Sequence, residues 1–220
     1  MALAINRKSK RSQAQPRKRN AAATRERILR AAVAEFCNKG FSAARTTEIT
    51  NCAECSIRML YHYFDNKEGL YLAALESVYT QLRSQEAALD IRHMSPVKGM
   101  STLVEFTFDH LLKHQEFIRL IGIENIQKGR FLKKSKDIPL AAVPLLESIS
   151  TLLRYGQKQG VFRKSVDPLQ LYVSILSLGY LHLSNKHTLS ITFSQDLTDP
   201  KWLAARRIHV RELIMGFLQL

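Results

Sequence analysis

The sequence predicts an all-α protein. Glycine and proline are sparse, at nine and six of 220 residues, so few positions interrupt regular structure. Apolar residues recur every three to four positions along most of the chain, which is the period of an amphipathic helix. Capping residues and prolines stand where these periodic segments begin, and glycines follow several of them. With 45% hydrophobic residues, the chain can bury a full core.

Three short helices are predicted near the N-terminus. Thr24 can cap the first, whose inward face would carry Ile28, Leu29, Ala32 and Phe36, and Gly40 would end it. The second is expected at about 45–52 and the third at about 56–64. Asn66 then caps a long helix that reaches about residue 89.

The C-terminal half is also predicted to be helical. Pro168 and Pro200 each fit the first turn of a helix, where a missing amide hydrogen costs nothing. A loop rich in lysine and arginine, interpreted as a solvated connection, is expected at 127–136. The helices are expected at about 97–113, 116–125, 139–159, 168–184 and 200–218.

The chain is strongly basic. It has 33 Lys and Arg against 19 Asp and Glu, a net charge of +14, which suits a polyanionic partner and nucleic acid first. Residues 1–20 hold seven of these cations and no acid. This segment fits both a solvated, disordered tail and an arm that orders on DNA. A mitochondrial presequence would be similarly basic, but the arm lacks the apolar periodicity of one.

The remaining composition favours a cytoplasmic protein. The N-terminus has no apolar run of the kind found in signal peptides, and the three cysteines are an odd number. The uncharged stretch 168–185 contains too many polar residues for a membrane span, so no membrane partner is expected. We find no phosphate-binding glycine loop, no His-Glu-x-x-His and no nucleophile elbow, so the sequence supports neither catalytic residues nor a cofactor.

Residues 45–67 have the pattern of a helix-turn-helix. Leu60 and Phe64 can pack inward, and Arg58, Tyr61 and His62 then point away from the core. Ser56 stands at the N-terminus of the third helix, where a hydroxyl and free backbone N–H groups can bind phosphate.

The block 25–75 resembles the DNA-binding domain of the TetR family of transcriptional regulators. The matching residues are Arg25-x-x-Ile28-Leu29-x-Ala31-Ala32, Phe36, Gly40-Phe41, Ile49, Ala53, Ser56, Leu60-Tyr61-His62-Tyr63-Phe64 and Lys67-Glu68-x-Leu70. The C-terminal part is similar to the regulatory domain of one branch of the family. The segments that carry this likeness are 114–120, 124–125, 160–163, 167–168 and 183–190.

Two positions depart from the family pattern. Ala44 stands where the family usually has a Thr or Ser that caps the second helix, and Thr46 or Ser42 is the expected substitute. The turn between the two helices reads Glu54-Cys55 instead of Gly-Val. A non-glycine residue in a left-handed turn costs roughly 1–2 kcal/mol, and a carboxylate there should weaken binding to DNA.

The resemblance implies a domain organisation and a set of DNA contacts. We expect a basic arm at 1–20, a three-helix DNA-binding domain at 21–82, and a helical ligand-binding and dimerisation domain at 83–220. Arg58 is the candidate for a guanine edge, with a solvated helix face as the alternative. Ile57 and Met59 are candidates for a thymine methyl group. The expected phosphate contacts are Arg45, Thr46, Ser56, Tyr61, His62 and Lys67.

The implied function is a ligand-responsive repressor that binds a partly palindromic operator as a homodimer, in the cytoplasm on the nucleoid. Helix 168–184 is apolar on several faces, so we expect it to be covered partly by a second subunit, with simple central burial as the alternative. The alternative function is a nonspecific, nucleoid-type DNA binder driven by the basic arm.

The effector is a small molecule of unknown identity. Glu124, Asn125 and His182 are polar residues in apolar helices and form the candidate ligand pocket, with helix capping as the structural alternative. Cys52-x-x-Cys55 is half of a zinc or redox motif, and without a second cysteine pair we interpret it as two separate thiols. A thiol switch on DNA binding is a separate hypothesis.

Overall fold

The computed structural model describes residues 14–219, with side chains from Ala21 onward. Within this range the fold is all α-helical, which confirms the predicted class, and two short 3₁₀ turns lie at 91–93 and 132–134. The helices are α1 (Ala14–Ala43), α2 (Thr46–Cys52), α3 (Ile57–Phe64), α4 (Lys67–Ala88), α5 (Pro96–Lys113), α6 (Gln115–Ile126), α7 (Asp137–Lys158), α8 (Pro168–Ser184), α9 (Lys186–Thr192) and α10 (Pro200–Leu218). Most bounds lie within two residues of those predicted.

The chain forms two compact units that divide inside α4, between Ala74 and Leu75. The boundary expected from the sequence, after Leu82, lies eight residues further along the same helix. The N-terminal unit ends at Ala74, and the C-terminal unit begins at Leu75.

Helix α1 begins ten residues earlier than predicted. Thr24 is buried within the helix rather than capping it. The three preceding residues are alanines, the strongest helix formers, so nothing in the sequence interrupts the helix there. Residues 14–20 of the expected disordered arm therefore belong to α1, and the rest of the arm lies outside the described residues.

The core of the N-terminal unit contains the apolar faces that the periodicity predicts. On α1, Ile28, Ala32 and Phe36 are fully buried. Gly40, with φ of 71°, breaks the helical backbone of α1 as predicted, because that conformation is strained for residues with a side chain. Tyr71 of α4 packs edge-on against Phe36, with the ring centroids 4.9 Å apart.

In the C-terminal unit, α5 packs against α7, α8 and α10. Met100, Leu103, Val104 and Phe108 line its buried side. Helices α8 and α10 begin at capping aspartates, because Asp167 accepts a hydrogen bond from the Gln170 amide and Asp199 accepts one from the Trp202 amide. Helix α9 was not predicted, since seven residues are too few to show a clear period.

Helix α8 is buried on one side and exposed on the other, and its cover by a second subunit stays a prediction. One side is buried within the unit and includes Leu171, Tyr172, Ile175 and Leu183. The other side exposes large apolar side chains, with Leu169, Val173 and Leu181 about half exposed. No helix among the described residues is long and apolar enough to cross a membrane.

Candidate nucleic-acid interface

Helix α3 has one buried and one exposed face, as the sequence predicts. Leu60 and Phe64 are buried. Ile49 of α2 and Ala53, the residue that follows α2, are buried as well. The other face is open to solvent. Its exposed residues are Ile57, Arg58, Met59, Tyr61 and His62. An exposed helix face that mixes a cation, hydroxyl and imidazole groups and apolar side chains can contact both phosphates and base edges.

The turn before α3 has the predicted strain, and a cap at Ser56 that was not predicted from the sequence. Glu54 adopts the left-handed conformation, with φ of 49°. The Ala53 carbonyl accepts a hydrogen bond from Arg27 Nε of α1 at 3.3 Å, which ties the turn to the first helix. Ser56 caps α3 by accepting a hydrogen bond from the Met59 amide at 3.2 Å. The helix N-terminus is therefore ordered before any DNA is bound.

The start of α2 is held differently from the prediction. Neither Thr46 nor Ser42 caps it, and the N-cap residue is Arg45, whose side chain makes no capping hydrogen bond. Instead, Glu35 of α1 accepts a hydrogen bond from the Arg45 amide at 3.1 Å and pairs with Lys39 at 2.9 Å. Partial burial opposes ionisation of Glu35, but these two partners outweigh it and hold the pKa of the carboxyl below its usual value. Glu35 thus accepts a backbone hydrogen bond at the start of α2, where no side-chain cap is present.

The Thr46 side chain lies beside α3. Its hydroxyl oxygen is 3.4 Å from the hydroxyl oxygen of Tyr61, so the start of α2 and the exposed face of α3 meet at this pair. Arg45, one residue earlier, is exposed. Three of the expected phosphate contacts therefore lie close together on the surface of the N-terminal unit.

Lys67 is partly engaged within the protein. Its ammonium group donates a hydrogen bond to the Ser42 carbonyl at 3.2 Å and lies 5.0 Å from the centre of the Phe41 ring. Burial lowers the pKa of this ammonium group, and the nearby Glu35 charge partly opposes the shift. From the sequence, Lys67 was predicted only as a phosphate contact. Its hydrogen bond to the segment after Gly40 was not predicted.

The cysteines show no joint chemistry. Cys37, Cys52 and Cys55 form no disulfide. Burial raises the pKa of the Cys55 thiol despite the nearby Arg27 charge, so the reactive thiolate is disfavoured. Within the described residues there is no group of three or more His, Cys, Asp or Glu side chains arranged to hold a metal ion.

The three candidate pocket residues of the C-terminal unit have separate roles. Glu124 is buried, and its Oε1 accepts hydrogen bonds from the Phe131 and Leu132 amides at 2.7 and 2.8 Å, so it anchors the basic loop. Asn125 is exposed, and its amide donates to the Ile121 carbonyl of its own helix. Both side chains thus make hydrogen bonds within the protein, and the pocket role expected for them stays a prediction. His182 is buried beside the rings of Phe108 and Trp202.

A small cavity of about 90 Å³ lies elsewhere in the C-terminal unit, beside a polar cluster that the sequence does not reveal. Tyr172 Oη donates to Glu86 Oε1 at 2.7 Å and accepts from Arg83 at 3.0 Å, while Arg83 pairs with Glu86 at 2.6 Å. Burial raises the pKa of Glu86 against the opposing effect of Arg83 and Tyr172. The i,i+3 spacing of Arg83 and Glu86 is visible in the sequence, but their partner on α8 is 86 residues away. The cavity has room for only about three water molecules.

A helix-turn-helix with an exposed second helix, joined to a larger helical unit, defines a DNA-binding transcriptional regulator. Residues 28–74 match the sequence model described as "Bacterial regulatory proteins, tetR family", and residues 96–214 match "Tetracyclin repressor-like, C-terminal domain". The chain belongs to the TetR family, and it is a regulator rather than an enzyme.

Two curated relatives support this assignment. The chain is 34% identical over 176 residues to the transcriptional repressor NicS of Pseudomonas putida, covering 80% of this chain and 83% of NicS. It is 30% identical over 165 residues to the repressor SCO4008 of Streptomyces coelicolor, covering 73% and 79% of the two chains.

Solved structures share the fold at lower sequence identity. A TetR family regulator from Marinobacter aquaeolei superposes with a TM-score of 0.67 at 21% identity, covering 92% of this chain and 98% of that one. The ketosteroid transcriptional regulator KstR2 of Mycobacterium tuberculosis gives a TM-score of 0.65 at 17% identity, covering 89% and 95%.

Proposed function

We propose that this protein is a repressor that binds a partly palindromic operator as a homodimer and leaves it when a small-molecule effector binds. The observation that carries the proposal is the exposed face of α3, which is presented by a buried frame and a capped helix N-terminus. The relatives NicS and SCO4008 are both named as repressors.

The DNA contacts follow from this face. Arg58 donates two hydrogen bonds to a guanine edge, and Ile57 and Met59 meet thymine methyl groups. Phosphate contacts come from the rim of the same surface. They are assigned to Arg45, Thr46, Ser56, Tyr61, His62 and, after release from the Ser42 carbonyl, Lys67. Such contacts set the register of the protein on the duplex while Arg58 reads the sequence.

A second copy of the chain covers the apolar surfaces of α8 and α10. Leu169, Val173 and Leu181 on α8 are about half exposed. Ile208, Leu213 and Phe217 on α10 are exposed to a similar extent. Apolar patches of this kind mark interfaces. A two-fold dimer would place two α3 helices in successive major grooves, about 34–36 Å apart. Light scattering that shows a monomer at micromolar concentration would contradict the dimer.

Effector release requires that the ligand bind one arrangement of the dimer better than the one that fits the operator. A regulator of this kind works on chromosomal DNA in the cytoplasm. The nucleoid-type alternative receives no support from the relatives, which are named as transcriptional regulators.

Genomic footprinting followed by fluorescence anisotropy on the recovered site tests the proposal. We expect protection of a partly palindromic site and a preference for it over scrambled DNA. Deletion of residues 1–13, which leaves all of α1 in place, should lower affinity and its salt dependence but keep the site preference. Loss of nearly all binding on that deletion, with no site preference before it, would favour the nonspecific alternative.

A further inference from the structure

Three buried side chains in the described part of the C-terminal unit have polar atoms without a hydrogen-bond partner. One is Glu124, whose other carboxylate oxygen is already held by two backbone amides. The other two are His182 and Arg206. Neither ring nitrogen of His182 on α8 has a hydrogen-bond partner among the described residues, although the side chain is only 4% exposed. The Nε of Arg206 on α10 is likewise buried without a partner. Buried groups of this kind are rare in folded proteins, and each calls for an explanation.

The two groups belong to one site. The Arg206 charge acts on His182, and after burial it is the next cause that lowers the pKa of the imidazole, to about 4. The Leu178 carbonyl lies near the imidazole and acts in the opposite direction, raising its pKa. The contact is too poorly aligned to be a hydrogen bond. Arg206 itself donates to that same carbonyl at 3.4 Å, a long hydrogen bond. The neutral imidazole and the guanidinium therefore converge on one point between α8 and α10.

Arg206 differs from its neighbour in having no acid beside it. Arg207 pairs with Asp109 at 2.7 Å and with Glu105 at 3.4 Å. For Arg206, partial burial is the one cause of its lowered pKa, and no carboxylate of the described chain pairs with it. A partly buried guanidinium without a counter-ion is a site that favours an anion.

Aromatic rings form the walls of this site. Phe108 of α5 stacks on the His182 ring, with centroids 5.3 Å apart and planes 14° from parallel. The Trp202 ring is tilted by 53° to the His182 ring, with the centroids 5.6 Å apart. Phe108 is fully buried, while Trp202 is only partly buried, so the indole is the wall that can open to solvent. Flat apolar walls favour a flat apolar ligand.

A second subunit does not explain the two groups. The unpartnered nitrogens are already inaccessible within a single chain. A partner copy lying on the exposed faces of α8 and α10 therefore cannot reach them. A ligand that enters between these helices beside Trp202 can.

We propose that His182, Arg206 and Trp202 form the effector subsite for an organic monocarboxylate with a flat apolar body. The inference rests on the proposed effector response and names the chemical class of the ligand. The carboxylate accepts hydrogen bonds from the Arg206 guanidinium and from a ring nitrogen of His182, and the body lies against the aromatic walls after the indole moves aside.

The test uses the full chain and the fluorescence of Trp202, which is the single tryptophan of the sequence. Benzoate is titrated up to roughly 10 mM, where a fragment of this size is expected to bind. Benzamide, with the same ring and no charge, and acetate, with the same charge and no ring, are titrated beside it. We expect a saturable change with benzoate and binding weaker by at least about tenfold for the other two.

Matched variants then assign the contact. Arg206→Met should weaken benzoate binding at least about tenfold, whereas Arg207→Met, which removes the acid-paired arginine one position later, should leave it unchanged. Circular dichroism confirms that both variants fold. If Arg206→Met does not fold, the benzoate and benzamide titrations of the unaltered chain still decide the ligand class.

Equal binding of benzoate and benzamide, equal loss in the two arginine variants, or no saturable change with benzoate would overturn the inference. Operator binding is measured separately without ligand. A chain that binds its operator specifically but does not discriminate benzoate from benzamide overturns this subsite and leaves the proposed function standing.

Discussion

The hydroxyl oxygens of Thr46 and Tyr61 lie 3.4 Å apart, joining the first residue of α2 to the exposed face of α3. The Tyr61 side chain is 41% exposed, so its hydroxyl can contact Thr46 and still reach a phosphate. The position of the Tyr61 hydroxyl is thus set by Thr46 before any DNA is bound.

We expect Tyr61→Phe to weaken operator binding by roughly fivefold, since one hydrogen bond of about 1 kcal/mol is lost. The thermal unfolding midpoint should change little, because the ring remains in place and the long hydrogen bond to Thr46 is exposed to water. Fluorescence anisotropy measures the affinity. Tyr155→Phe, at an exposed position of the C-terminal unit, is the matched control and should bind as the unaltered chain does. Unchanged affinity in Tyr61→Phe would show that this hydroxyl makes no phosphate contact.

Arg58→Ala should relax specificity at one base pair by about 1–3 kcal/mol, because the bidentate contact to guanine is lost. An operator selection experiment measures this as a change in base preference at one position of each half-site. Arg45→Ala is the control, since loss of a phosphate contact should weaken all sequences alike and lower the salt slope by about 1. Lys67→Ala is less suitable, because Lys67 also holds the Ser42 carbonyl. An unchanged preferred operator in Arg58→Ala would place this side chain on a solvated face.

The local features of the DNA-binding unit were predictable because they depend on near neighbours in the sequence. The spacing of Leu60 and Phe64 sets the buried side of α3, and the cap at Ser56 needs only the amide three residues later. The resemblance to the family predicted a strained backbone at Glu54, and the left-handed conformation of this residue confirms it. Periodicity and capping rules together were sufficient for these positions.

Other features depend on side chains that meet only in the folded chain. Glu35 accepts the hydrogen bond at the start of α2 from ten residues away, so capping rules for neighbouring residues do not predict it. Glu124 resembled a pocket residue in the sequence, yet its carboxylate anchors a loop seven residues later. The nitrogens of His182 and Arg206 that lack a partner are buried by the packing of α5, α8 and α10, which sequence periodicity does not reveal.

Glu54→Gly should stabilise the protein by about 0.5–1 kcal/mol, because glycine tolerates the left-handed conformation at this position although it loses more entropy on folding. It should also raise operator affinity a few-fold by removing a carboxylate near the phosphates. Glu54→Gln is the matched control, since it removes the charge but keeps the backbone strain. We expect Gln to share the gain in affinity and not the gain in stability, measured by urea unfolding and anisotropy. A gain in stability for both variants would assign it to charge rather than strain.

Buried neutral His182 should make the protein less stable in acid. Burial, followed by the Arg206 charge, lowers the pKa of the folded-state imidazole to about 4, whereas the usual value is 6.5. Between these values the unfolded chain binds a proton that the folded chain does not, so the free energy of unfolding falls as the pH falls from 6.5 towards 4. The contribution lost between about pH 7.5 and about pH 5 is roughly 1–2 kcal/mol.

His182→Phe should remove this part of the acid sensitivity. The phenyl ring keeps the stacking on Phe108 and eliminates the two unpartnered nitrogens, so the variant should also be more stable at about pH 7.5. Urea unfolding at both pH values measures the difference. Some acid sensitivity will remain, because burial and the His114 charge also lower the pKa of His110 to about 4. His187→Phe, at an exposed position on α9, should behave as the unaltered chain does. An equal loss of stability in acid for His182→Phe and the unaltered chain would mean that His182 is protonated, and already paired, in the folded state.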